Sequence, residues 1–169
     1  MGLDISHNTW YGAYSAFHRW RQMIAEVAGY PPLDLMQGFY DHDSHNPISL
    51  LNYRFPNGDE LEMSQLRRIF KQMPIKWDNF KPNPLMELLY HSDCDGHITY
   101  GKCGKIANEL EKLLPLIPDE DGGGHIGNYR EKTKTFITGL RKAHKNKEKL
   151  IFKWRKLLAL GLNIIAKLN

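Results

Sequence analysis

The chain has 169 residues, 41% hydrophobic and 25% charged, which suits one globular domain with a real core and room for an appended helical arm. Its net charge of +4 hides a division: residues 126–169 hold 12 Lys/Arg against 2 Asp/Glu, a net +10, and residues 1–125 a net −6. With no apolar run of about 18 residues, no basic-then-apolar leader at Met1–His7 and only two cysteines, composition argues against a membrane span, a secretory signal and a disulfide framework, and a reduced, cytoplasmic protein is expected.

Gly2–His7 reads as a short buried strand or an extended arm leading into the first helix. Trp10, Tyr14, Phe17, Trp20, Ile24 and Val27 recur at helical spacing, with Asn8 or Thr9 as N-cap, Gly29 as the stop and Pro31-Pro32 preventing continuation. Residues 30–60 are irregular, with helical turns expected around Leu33–Gln37 and Ile48–Asn52 and a small hairpin at Arg54–Leu61. Ser64–Met73 reads as a helix stopped by Pro74. Pro84 opens a short helix bearing Leu85, Leu88 and Leu89. Ile106, Leu110 and Leu113 mark the core face of the next helix, which ends before Pro115.

Pro118–Gly124 is an acidic, glycine-rich linker. Beyond it, two long basic helices are expected: one carries Ile126, Tyr129, Phe136, Ile137 and Leu140, the other Leu150, Ile151, Trp154, Leu157, Leu158, Leu162 and Ile165. The fold class predicted from these elements is mainly α: a single compact domain of about five to seven helices with irregular loops, ending in those two basic helices. Residues 1–118 form an acidic body, and 125–169 a basic arm packed on the body or on another subunit, which makes a homo-oligomer one expectation.

Between two helical segments lies His91-Ser92-Asp93-Cys94-Asp95-Gly96, which gathers two carboxylates, an imidazole and a thiol. Set against a calcium-binding loop, His91, Asp93, Asp95 and Gly96 fall at positions one, three, five and six, but Lys102 stands where a bidentate Glu belongs. A divalent metal held by His91, Asp93 and Asp95 is one reading, and zinc on His91, Cys94 and Cys103 with His97 another. The third is a tight turn in which the carboxylates bond backbone N–H groups and Cys94 packs inside.

Asp4, Ser6 and His7, followed by Trp10 and Tyr14, form a polar-aromatic cluster: either a pocket wall with rings to stack a ligand, or helix capping and core. Arg19 and Arg21 stand nearby, as phosphate ligands or as a solvated face. Asp41-His42-Asp43-Ser44-His45 is a second metal-like string on a loop. There is no Gly-x-Ser-x-Gly elbow, Walker loop, dinucleotide fingerprint or His-Glu-x-x-His. A hydrolase would have to assemble its site from Asp4, His7, His91, Asp93 and Asp95. The lysines and arginines from Arg130 to Lys156 suit nucleic-acid phosphates, a single phosphate-bearing ligand, or plain solvation.

Met1-Gly-Leu-Asp-Ile-Ser-His7, running into Tyr14-Ser-Ala-Phe17 and Arg19, together with Leu88-Leu-Tyr-His-Ser-Asp-Cys-Asp-Gly96, resembles a family of small phage and bacterial proteins of uncharacterised activity. These begin with Gly-Leu-Asp-x-Ser-His and carry a later His-Ser-Asp-Cys-Asp-Gly. The resemblance covers roughly residues 1–115 and implies a bacterial or phage-infected cytoplasm and a link between the two clusters. The functional expectation is a non-catalytic binding protein that sequesters a small anionic, nucleotide-like ligand, as a counter-defence sponge would, through Asp4, Ser6, His7, Trp10, Tyr14, Arg19, His91, Asp93 and Asp95. The alternatives are a metal-dependent phosphoesterase using His91, Asp93 and Asp95 with His7 as acid/base, and a nucleic-acid or host-protein binder working through residues 126–169.

Overall fold

The structure, a computed structural model, describes residues 2–38, 75–93 and 95–155, apart from the side chains of Trp154 and Arg155. The expected turn at Ile48–Asn52, the hairpin at Arg54–Leu61, the helix at Ser64–Met73, the Asp41–His45 string and Cys94 lie outside the described residues. So does the chain after Arg155.

The described residues form four strands and four α-helices: β1 (Gly2–Ile5), β2 (Trp10–Gly12), α1 (Tyr14–Val27), α2 (Leu85–Leu89), β3 (His97–Ile98), α3 (Tyr100–Leu113), α4 (Tyr129–Asn146) and β4 (Leu150–Arg155). The strands make one antiparallel sheet in the order β2-β1-β4-β3. This corrects the mainly-α expectation of five to seven helices ending in two basic ones. Leu150 and Phe152 are buried while Ile151 and Lys153 are exposed, a period of two that turns the expected last helix into a strand for as far as Arg155. A short run such as Leu-Ile-Phe-Lys-Trp-Arg fits either period in isolation; pairing with β1 and β3 selects the strand.

The N-terminal helix also starts later than expected. Ser6–Thr9 closes a β-hairpin in which His7 (φ 61°) and Asn8 (φ 57°) are both left-handed, so the chain reverses before Trp10 pairs with Ile5. Thr9 donates its N–H (3.3 Å) and its hydroxyl (2.6 Å) to the Ser6 carbonyl. Helix α1 then begins at Tyr14 and ends in a left-handed Gly29 (φ 80°), with the Tyr30 N–H reaching back to the Ala25 carbonyl. Asn128 caps α4 by accepting from the Glu131 N–H.

The register gives the sheet two unlike faces. Leu3, Ile5, Trp10, Ile98, Leu150 and Phe152 point inward, onto Phe17 and Trp20 of α1, Ile106 and Leu110 of α3, and Phe136 and Leu140 of α4. Rings interlock there: Trp10 meets Phe17 edge-on at 5.0 Å, and Trp20 lies 4.5 Å from Phe136. Asp4, Tyr11, His97, Ile151 and Lys153 lie on the exposed face. The segment after Gly124 thus supplies a core helix and a central strand. No helix among the described residues is long and apolar enough to cross a membrane.

Candidate functional site

The His91–Gly96 loop is organised around an arginine on another helix. Arg21 follows Phe17 by four residues and precedes Ile24 by three, so it lies on the apolar stripe of α1 and is 1% exposed. One guanidinium nitrogen donates to the carbonyls of Leu89 (3.1 Å) and His91 (2.6 Å), which α2 leaves open at its C-terminus. The other donates to Asp93 Oδ1. The Phe17 ring lies 4.7 Å below the guanidinium carbon. Burial pushes the guanidinium pKa down, and the Asp93 charge opposes that shift.

His91, Ser92 and Asp95 of the loop have partners as well. Asp95 Oδ1 accepts from the Ser92 hydroxyl at 2.8 Å. The His91 ring stacks on Phe152 of β4 at 3.9 Å, with Nδ1 2.8 Å from the Ser92 carbonyl. Cys103 is buried, its thiol directed at the Ile98 carbonyl (3.7 Å). Among the described residues no three His, Cys, Asp or Glu side chains are grouped to hold a metal ion.

The N-terminal cluster is likewise built into the fold. The Ser6 hydroxyl accepts the Ile151 N–H at 2.9 Å while the Ser6 N–H donates to the Ile151 carbonyl, which carries the β1–β4 ladder one residue further. His7 Nε2 lies 3.5 Å from Glu148. Trp10 is a core ring covered by the Lys132 ammonium at 4.7 Å, and Tyr14 packs partly buried on the core. Asp4 is exposed opposite Lys153. Arg19 is half-buried on α1, near enough to Tyr129 for its charge to oppose the upward push of burial on that phenol. Strand β4 spans the two clusters, with Ser6 bonded to Ile151 and His91 stacked on the adjacent Phe152.

A concave site lies elsewhere, beside α2 and the first turns of α3. It is an open groove of about 600 Å³ walled by Trp77, Phe80, Pro82, Pro84, Met86 and Tyr90, with Asp78, Glu87, Lys102 and Lys105 adding charge. Trp77 and Tyr90 meet edge-on at 5.7 Å, and Tyr30 backs Trp77 (6.0 Å) and Phe80 (5.5 Å). The Trp77 indole N–H donates to the Gln37 carbonyl, which holds the ring. Asn83 accepts the Leu85 N–H at the start of α2 and donates to Glu109 of α3, tying the two helices together.

Glu87 Oε2 accepts from the Tyr90 hydroxyl (2.9 Å) and from Lys102 (2.9 Å), while Oε1 bonds no described residue. Burial by itself pushes the Glu87 carboxyl up, but the Lys102 and Tyr90 hydrogen bonds and the neighbouring positive charge outweigh it and hold the group below its usual value. Burial and the adjacent Glu87 both push the Tyr90 phenol up, so it stays a donor. Lys105 lies one helical turn beyond Lys102 and is exposed.

None of the nine site residues expected from sequence lines this groove. The signal that marks it is the run Trp77-Asp-Asn-Phe-Lys-Pro-Asn-Pro84: two large rings among prolines, which no helix or strand period explains. Comparison of the chain with protein-family models, with curated proteins and with solved structures finds no match.

Proposed function

We propose that this chain is a non-catalytic binding protein that captures a small anionic ligand carrying an aromatic ring, a nucleotide-type molecule, in the groove beside α2. The observation that carries this reading is the convergence of three features within one 600 Å³ groove: rings at Trp77 and Tyr90, the Glu87 carboxylate, whose Oε1 bonds no described residue, and an ammonium at Lys105. A nucleotide presents the complementary set of a flat base, N–H donors on its edge and a phosphate. The mixed charge argues for such a ligand over a bare anion, since Asp78 and Glu87 would oppose the latter. The phage setting implied by the two sequence motifs gives sequestration of a nucleotide signal as a use, by analogy alone.

Native mass spectrometry of the purified protein, before and after incubation with a panel of mono- and cyclic nucleotides, tests the proposal. A one-to-one adduct that denaturation releases intact supports it. Released product, or no adduct at millimolar nucleotide, contradicts it.

A further inference from the structure

We propose that the open face of the sheet is a second site, independent of the groove, that binds single-stranded nucleic acid. A four-stranded antiparallel sheet with helices on one face and accessible rings on the other is a form on which unpaired bases stack. Here the helices and the core take the inner face, and the outer face carries Tyr11 on edge strand β2 and His97 on edge strand β3. Tyr11 is 59% exposed, turned outward between the inward-facing Trp10 and Gly12. Three strand spacings, roughly 14 Å, separate the two edges, a span suited to two or three splayed bases.

The central strand lies between those rings and supplies the charge. Lys153 sits in one row with Asp4 and Tyr11, and Ile151, 38% exposed, pairs with His97. The end of α4 and the turn feeding β4 add exposed Lys145, Lys147 and Lys149. Several cations of the preceding helix are held by carboxylates: Arg130 by Asp119, Lys134 by Glu131 and Arg141 by Glu111. The lysines from 145 to 153 make no such described ion pair, and the two acids among them act locally: Glu148 lies beside His7 and Asp4 faces Lys153. An extended phosphate backbone along β4 meets Lys149 and Lys153, with its bases turned to Tyr11 and His97. A duplex cannot offer its base faces to these rings, so the surface selects single strands.

Fluorescence anisotropy of a labelled oligo(dT) of about 12 nucleotides tests the assignment, titrated with the full chain at several salt concentrations. The expected result is binding that weakens steeply with salt, by a log–log slope near −0.7 per phosphate contact. Tyr11→Ala should weaken it about tenfold, with Tyr11→Phe restoring it. Lys149→Gln with Lys153→Gln should make the slope shallower, whereas Trp77→Ala in the groove should leave it unchanged. Circular dichroism confirms that each variant is folded; Tyr11→Phe keeps the test valid if Tyr11→Ala is not. Absence of binding, equal binding of a duplex of the same length, or indifference to Tyr11 and both lysines overturns the proposal.

Discussion

Arg21 of α1 and Asp93 of the loop after α2 form an ion pair whose cationic partner is 1% exposed and whose carboxylate side chain is 27% exposed. The arginine joins the end of one helix to the most polar string in the chain, since the same guanidinium takes the Leu89 and His91 carbonyls. The loop is therefore held at a defined place between α2 and β3, directly after Tyr90, which lines the groove. A buried cation is tolerated only where such partners surround it.

Asp93→Asn should accordingly destabilise the protein by about 2–3 kcal/mol, the cost of leaving a buried charge half-compensated beside a partly solvated partner. Arg21→Met should cost more, because it also leaves helix-terminal carbonyls without a donor. Urea denaturation of both variants and the double mutant measures this. Equal costs for the two single variants would mean that the carbonyl bonds contribute nothing.

Gly139 of α4 should resist replacement, although alanine is the better helix former by about 1 kcal/mol. An added Cβ would stand 2.9 Å from the Thr9 Cα, which is backbone of the β1–β2 hairpin and has little room to move. Overpacking of that kind costs roughly 1–3 kcal/mol, so the clash exceeds the propensity gain and Gly139→Ala lowers Tm. A raised Tm would show that the hairpin yields to the helix.

The hairpin offers the opposite experiment. Asn8 is held at φ 57°, a conformation glycine adopts without a side-chain penalty. Asn8→Gly should stabilise by about 0.5 kcal/mol, and Asn8→Val should destabilise by about 1–2 kcal/mol. Thermal melts of the pair check the sign.

What the sequence disclosed and what it withheld divide along physical lines. The stripe Phe17, Trp20, Ile24 and the leucines of α2 were legible because burial on one helical face imposes a period that a chain of this length displays. Glycine at position 29 and proline at 84 marked ends for the same local reasons. Strand β4 was not legible, because its partners, β1 and β3, lie far away in sequence and period alone does not separate a six-residue strand from a helical turn. The polar loop admits both a ligand set and a tight turn, because composition shows which groups are present, while their partners, above all Arg21 for Asp93, come from another helix. The groove needed tertiary structure to bring Trp77, Tyr90 and Lys105 together.

Cys103 is a buried thiol in α3, and burial pushes its pKa up from 9.0 to about 11. A group whose pKa is raised in the folded state adds stability that is full below its unfolded value and is lost as pH rises through the folded one. Stability should therefore decline between about pH 9 and pH 11, and Cys103→Ala should flatten that decline. In a Cys94→Ser background, iodoacetamide at pH 8 should label Cys103 only when the fold opens. Labelling of the native protein at the rate of a free thiol would contradict this.

The central claim is that the groove beside α2 holds a base and a phosphate together. Isothermal titration of the full chain with purine and pyrimidine nucleoside monophosphates, repeated with Trp77→Ala, Glu87→Gln and Lys105→Glu, tests it most directly. The account predicts saturable one-to-one binding that each substitution weakens by about tenfold, the worth of one stacked ring or one charged hydrogen bond, with the parent nucleosides binding less well than the nucleotides. Nucleotide binding that ignores all three substitutions, or no heat from any nucleotide at a protein concentration where the fold is intact, would contradict it.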